Sequence, residues 1–161
     1  MNHSAFANFE CIASGTLAEV YAAAGQDCQI FDHETGRVVD VDPRFPPKDE
    51  GPRPGRPKLG VIPREVTLLP RHWDWLATQP GGASVALRKL VEAASRDPKS
   101  RQRQRRDAAY RLATALVGNA PGYEEAMRAL YAGAAEDFAA HIEAWPTDVR
   151  RVLEEMTAEA F

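Results

Sequence analysis

The chain has 161 residues, 44% of them hydrophobic and 27% charged, and this length suits one domain or two small units that share a core. No apolar run approaches the roughly 18 residues that cross a membrane. The N-terminal MNHSAFANFECIASG lacks the basic start and apolar block of a secretory signal. We therefore expect a cytoplasmic protein that does not engage a membrane, with Cys11 and Cys28 reduced and buried.

Charge is segregated along the chain, although the net charge is only -3. Residues 1–43 carry one Lys/Arg against seven Asp/Glu, residues 44–106 fifteen against six, and residues 107–161 four against ten. A basic centre between acidic ends indicates an anionic partner for the centre. The alternative is that the centre pairs with the acidic ends of its own fold.

The N-terminal segment predicts a small unit of strand, helix and hairpin. Residues 5–13 have the aromatic and small apolar composition of a strand. Thr16 and Glu19 have the spacing of a capping box, so a short helix begins there, and Gly25 ends it. The acidic and histidine side chains of this N-terminal segment match no metal-loop spacing, so we predict no metal site. Three further segments complete the unit: a strand at 28–31, a turn at 32–36 and a returning strand at 37–42.

Residues 43–60 hold six prolines and three glycines, a composition typical of an extended, exposed linker. Within it, RPGRPK at 53–58 resembles the AT-hook, a minor-groove-binding peptide with an Arg-Gly-Arg-Pro core. The resemblance implies that Arg53, Arg56 and Lys58 contact DNA. Here proline replaces the first arginine of that core, and a solvated tether explains the same composition.

The next segment predicts a strand and two helices. Leu59 to Leu69 is strand-like, and helices follow at 71–79 and 83–95 around the breaker Pro80-Gly81-Gly82. The layout resembles a ribbon-helix-helix protein, in which the strands of two copies pair into an antiparallel ribbon that enters the major groove of DNA.

This second resemblance implies a homodimer that binds double-stranded DNA. The outward strand residues Glu65, Thr67 and Leu69 would face the base edges, and Thr67 is the one that offers a polar contact. Backbone amides at 82–85 would hold a phosphate. Glu65 would repel phosphate, and any small helical hairpin after an edge strand gives the same pattern, so a purely structural unit is the alternative.

A basic helix begins at Asp97 and Pro98, which fit a cap and a first helical residue. Its first turns oppose the helix dipole, and phosphate or plain water would relieve that opposition. We predict phosphate contacts from five residues of these turns: Lys99, Arg101, Arg103, Arg105 and Arg106.

Residues 107–161 predict a compact, acidic helical bundle. The expected fold class is α+β, with a small N-terminal strand-helix-hairpin unit, a Pro-rich linker, a strand-helix-helix unit and the C-terminal bundle. The expected segments are a small α+β unit at 1–43, a Pro/Gly-rich linker at 44–60 and a strand plus mainly helical domain at 61–161.

Long motifs identify a family resemblance across nearly the whole chain. They are GRPKLGVIPREVTLLPRHWDWLATQPGGASVALRKLVEAA, GNAPGYEEAMRALYAG and EAWPTDVR, with IASGTLAEV and IFDHETGRVVDVD in the N-terminal part. The chain resembles an uncharacterised family of bacterial proteins, known as a domain of unknown function. The resemblance implies one full-length module in a bacterial cytoplasm, and it brings no activity, cofactor or catalytic residue.

No catalytic motif occurs in the sequence: there is no Gly-x-Ser-x-Gly, no phosphate-cradling glycine loop and no His-Glu-x-x-His. We therefore expect neither an enzyme nor a cofactor. The first functional hypothesis is a DNA-binding or DNA-associated regulatory protein that forms a homodimer. The alternative is a protein–protein interaction module without catalytic activity.

Overall fold

The computed structural model describes residues 3–25, 27–48 and 60–161. Contacts between residues divide the chain into two units. Unit 1 consists of Met1–Asp49 together with Arg101–Phe161, and unit 2 is Glu50–Ser100. The fold class is α+β, as expected from the sequence, with seven helices and three strands among the described residues. The segment boundaries drawn from composition stay a prediction, because contacts and composition define segments by different criteria.

Unit 1 begins with a three-stranded antiparallel sheet in the order β2-β1-β3. Its strands are β1 (His3–Ala7), β2 (Glu10–Gly15) and β3 (Gln29–Asp32). The prediction of one strand over 5–13 is wrong, because the chain reverses between β1 and β2 at Asn8, which has φ 56°. Asparagine tolerates this left-handed conformation better than most residues.

Helix α1 (Leu17–Ala23) confirms the predicted capping box. The Glu19 amide donates to Thr16 Oγ1, and Glu19 Oε2 accepts from the Thr16 amide at 2.8 Å. The pair satisfies two backbone donors at the helix start. The helix runs to Ala23, with Ala24 in extended conformation as its C-cap.

The turn after β3 forms as predicted, but the returning strand does not. Asp32 Oδ1 accepts hydrogen bonds from the amides of Glu34 and Thr35. Gly36 has φ 66°, and a Cβ at this position would overlap the carbonyl of Ala108, so glycine is needed for both backbone and packing reasons. Beyond the turn only a single bridge forms, between Phe31 and Val38.

The sheet packs on a helical bundle through two phenylalanines. Phe6 and Phe31 meet edge to face with ring centroids 6.1 Å apart, and both belong to the same buried cluster as the bundle helices. The bundle consists of the unit 1 part of α4 (Pro98–Val117) with α5 (Tyr123–Ala132), α6 (Ala135–Ile142) and α7 (Thr147–Thr157). Its largest fully buried side chains are aliphatic: Leu112, Leu130, Ile142, Val149, Val152 and Leu153.

Unit 2 contains α2 (Pro70–Ala77) and α3 (Gly82–Arg96), which confirm the two helices predicted there. The predicted strand before them is wrong over 60–69, which is neither helix nor strand, while residue 59 lies outside the described residues. A strand needs a neighbour with which to exchange hydrogen bonds, and none of the described residues offers one to this segment.

None of the helices within the described ranges is long and apolar enough to cross a membrane.

Candidate interaction surface

The residues predicted to contact nucleic acid lie in three different settings. Arg53, Arg56 and Lys58 fall outside the described residues. Thr67 is exposed in unit 2, and Lys99 is exposed in the first turn of α4.

Two of the predicted phosphate-binding arginines bind Glu159 near the end of the chain. Glu159 Oε2 lies 2.6 Å from Arg105 Nη2 and 3.6 Å from Arg101 Nη2. Both pairs are solvent-exposed, and such pairs stabilise a fold only weakly. These contacts agree with the alternative in which the basic centre pairs with an acidic end of its own fold.

Arg106 is also engaged within unit 1. Its Nε donates to the carbonyl of Ala160 at 2.7 Å, and its Nη1 donates to the carbonyl of Tyr131 at 3.3 Å. Next to it, Gln102 Nε2 donates to the carbonyl of Phe161, and the Phe161 ring packs against Phe138 with centroids 5.7 Å apart. Arg106 therefore helps to hold the last residues of the chain on the bundle.

Arg103 and Lys99 differ from these three residues. Both are exposed, and neither forms an ion pair or hydrogen bond with any residue in the part of the chain that the structure describes. Of the five α4 residues predicted to bind phosphate, these two keep their charge free.

Unit 2 exposes most of its large apolar side chains. Among its described residues only Leu76 and Ala86 are buried hydrophobics. Eight large apolar side chains of the same unit are 41–72% exposed: Val61, Ile62, Val66, Leu69, Trp73, Trp75, Leu90 and Val91. We call these eight residues the apolar surface of unit 2. Unit 1, with a far larger described length, exposes six such side chains.

Part of this surface lies on the helices of unit 2. Leu90 and Val91 of α3 are 50% and 67% exposed. Trp75 of α2 is 50% exposed. Amphipathic spacing shows that a helix has an apolar face, but not which molecule covers it.

A groove of about 440 Å³ lies beside the irregular segment of unit 2. One wall is the chain at 64–67, and the other is formed by Trp73 of α2 with Ala83, Ser84 and Leu87 at the start of α3. Thr67 is therefore part of a depression lined by both apolar and polar side chains.

The backbone amides and carbonyls of residues 60–68 form no backbone hydrogen bonds within the described part of the chain. No backbone hydrogen bond joins these residues to another described residue, and the first one in this region is donated by the His72 amide to the carbonyl of Leu69. Several of the side chains are β-branched or otherwise suited to strands. The segment presents donors and acceptors in the manner of an unpaired edge strand.

A second polar cluster lies in unit 1, where the sheet meets α7. His33 Nε2 and Ser4 Oγ are 2.9 Å apart, and Ser4 is fully buried. His3 Nε2 lies 3.8 Å from Asp32 Oδ2, and His3 Nδ1 is buried without a hydrogen-bond partner among the residues that the structure describes. Burial lowers the pKa of His33, the negative charge of Glu155 raises it by a smaller amount, and His3 lowers it further.

No group of three or more His, Cys, Asp or Glu side chains within the described ranges is placed to hold a metal ion.

The fold defines a small α+β protein with two compact units. The chain belongs to the family described as "Uncharacterized protein conserved in bacteria (DUF2239)", whose model matches residues 2–157. No curated protein and no solved structure matches the chain.

The lowered pKa of His33 predicts that acid destabilises unit 1. The pKa of His33 in the folded chain lies below its unfolded value of about 6.5, so the folded state binds the proton less readily than the unfolded state. The free energy of unfolding therefore keeps its full value above the unfolded pKa and decreases as the pH falls through the folded pKa. The free energy of unfolding, measured with urea at about pH 7.5 and about pH 5, should fall more for the parent chain than for His33→Gln. An equal fall in both proteins would show that His33 is not responsible.

Proposed function

We propose that the chain is a protein-association module and that unit 2 is the part that binds a protein partner. The observation that supports this proposal best is the apolar surface of unit 2, which lies in a unit that buries only two described hydrophobic residues. Large apolar side chains that stay exposed in a small unit offer area that a partner can bury, and exposed apolar patches of soluble proteins often mark interaction sites.

The composition of the surface also supports an association role. Trp73 and Trp75 are 41% and 50% exposed, and tryptophan is among the residue types that most often dominate the free energy of an interface. Charged side chains border the apolar residues of α3, with Arg88, Lys89 and the ion pair Glu92–Arg96 on its exposed side. An apolar centre with a charged rim is the usual anatomy of a protein interface.

A single charge on α3 should abolish the association. We expect Val91→Glu to leave the isolated fold intact, because Val91 is 67% exposed, and to place an unpaired charge in the interface. In nuclease-treated extract of the source bacterium, the native mass of the tagged parent chain should exceed the 17.7 kDa of one chain. The Val91→Glu protein should migrate as a single chain.

Phe45→Glu provides the matched control, because Phe45 is 76% exposed and lies in unit 1. This variant should migrate with the parent. A parent chain that migrates as a single chain in the extract would contradict the proposal.

DNA binding is the second candidate, and one observation favours it. Arg103 and Lys99 are exposed and without acidic partners among the described residues, within a stretch that carries fifteen Lys/Arg against six Asp/Glu. Unpaired cations of this kind attract phosphate and give binding that depends strongly on salt. In this candidate, unit 2 would assemble the protein and the basic residues would contact DNA.

Removing the two unpaired charges tests this candidate. Lys99→Gln/Arg103→Gln should weaken binding to a random-sequence duplex and reduce the slope of log K against log salt by about two. The measurement is fluorescence anisotropy across a range of salt concentrations. Arg37→Gln/Arg128→Gln removes the same charge from other exposed positions and should have a smaller effect. Absence of binding by the parent at low salt would exclude this candidate.

A further inference from the structure

We propose that the partner of unit 2 is a second copy of this chain, joined to the first by an antiparallel ribbon of residues 65–69 in which Thr67 lies opposite Thr67 of the other copy. This inference rests on the proposed function and names the partner. Three observations support it: the unpaired backbone, the order of side chains in the segment and the size of the exposed surface.

A second strand can supply the hydrogen bonds that the backbone of residues 60–68 lacks among the described residues. Residues 60–68 make no backbone hydrogen bond with the described residues, and Val66 and Leu69 are about half exposed. Pairing with another strand satisfies such donors and acceptors while it buries the apolar side chains. A second copy supplies an identical strand, and an antiparallel pair of identical strands is related by a two-fold axis.

Symmetry limits the possible registers of this pair. Side chains directly opposite each other lie on the same face of a ribbon, and successive side chains alternate between faces. A two-fold axis perpendicular to the ribbon maps each face of the ribbon onto itself, so a given residue lies on the same face in both copies. Opposed residues must therefore be an even number of positions apart, so one residue lies opposite its own copy.

Charge and the start of α2 favour Thr67 as that residue, since a ribbon centred on Leu68 would place Val66 opposite Pro70, the first residue of α2. A ribbon centred on Arg64 or Glu65 would oppose like charges, which is destabilising. A ribbon centred on Val66 would place Arg64 opposite Leu68. With Thr67 at the centre, Val66 of each copy lies opposite Leu68 of the other, and no two like charges face each other.

Pro70 agrees with the same register. Hydrogen-bonded and non-hydrogen-bonded pairs alternate along an antiparallel ribbon. If the Thr67 pair is hydrogen-bonded, the Glu65–Leu69 pairs are too, and Arg64 and Pro70 fall at a non-hydrogen-bonded position. Pro70 has no amide hydrogen to donate, and in this register its nitrogen faces no acceptor that requires a hydrogen bond. The ribbon then ends where α2 begins, at Pro70.

The exposed apolar area is of the order that one partner contributes to a standard protein–protein interface. A half-exposed tryptophan presents on the order of 100 Å², and with the six aliphatic side chains the apolar surface of unit 2 presents several hundred Å², against the roughly 800 Å² that each partner contributes to such an interface. The ribbon alone would bury less than this area. Helices α2 and α3 follow the segment directly, and their exposed Trp73, Leu90 and Val91 supply the remainder.

Cysteine pairing tests the register on the purified full-length chain. Opposed residues of a hydrogen-bonded pair have Cα atoms about 5.5 Å apart, within the range that a disulfide spans. Thr67→Cys should therefore give a crosslinked dimer under oxidising conditions, detected on a non-reducing gel. The parent chain controls for Cys11 and Cys28, which are free thiols, and light scattering should give it twice the 17.7 kDa mass.

Glu65→Cys and Leu69→Cys are the matched controls. In this register the two copies of residue 65 lie about 13 Å apart along the ribbon, too far for a disulfide, and the same holds for residue 69. Each single variant should stay uncrosslinked, whereas Glu65→Cys/Leu69→Cys should crosslink, because these two positions are opposed. All three positions lie on a segment outside regular structure, and circular dichroism checks that the helices are retained.

Two results would overturn the inference. One is a monomeric parent chain in light scattering, and the other is Thr67→Cys crosslinking no better than Glu65→Cys. A purified monomer whose native mass in the extract exceeds one chain would mean that the partner is a different protein. The inference would then fail while the proposed function stands. Single-chain migration in both measurements would contradict both.

Discussion

Unit 2 has too little interior among its described residues to cover its own apolar side chains, and the proposed association rests on this limit. Its two helices, Pro70–Ala77 and Gly82–Arg96, bury one leucine and one alanine between them. A helical hairpin of this length gains little from internal burial and needs a further layer to form a core. The irregular segment before the hairpin makes no backbone hydrogen bond over 60–68 to another described residue, and both features support the proposed association.

Unit 1 shows the opposite balance. Phe6 and Phe31 of its sheet lie in one buried cluster with the bundle helices, and Ala5, Val20 and Ile30 form a second cluster that packs α1 on the sheet. The last residues of the chain are held by Arg106 and Gln102 through backbone carbonyls. Part of the basic charge that suggests a nucleic-acid partner is thus used within unit 1. Any role in DNA binding falls to the cations that remain unpaired.

Local signals in the sequence predicted much of the fold. The capping box of Thr16 and Glu19, the turn at Gly36 and the helix start at Pro70 depend on neighbouring residues, and all three occur. The reversal at Asn8 was missed because a left-handed asparagine leaves no periodic pattern. The contact of Arg106 with Ala160 spans 54 positions, which no local pattern can reveal.

The candidate surface was predictable only in part, for a physical reason. Hydrophobic spacing predicted two helices in this part of the chain, and the segment from Leu59 to Leu69 was predicted to be strand-like. Both patterns show that a segment can bury one face or pair its backbone. They do not show whether the segment that covers or pairs with it lies in the same chain. Exposure of Leu90 and Val91, and the absence of backbone hydrogen bonds from residues 60–68 to other described residues, show that the described part of the chain supplies no such segment.

The most direct test of association through unit 2 is amide hydrogen exchange of residues 64–69 as a function of protein concentration. Association through this segment predicts slow exchange at high concentration and faster exchange on dilution, because protection depends on a bound partner. Exchange at the rate of an unstructured peptide at every concentration would contradict it. That result would mean that the backbone of this segment stays unpaired and that unit 2 does not associate through it.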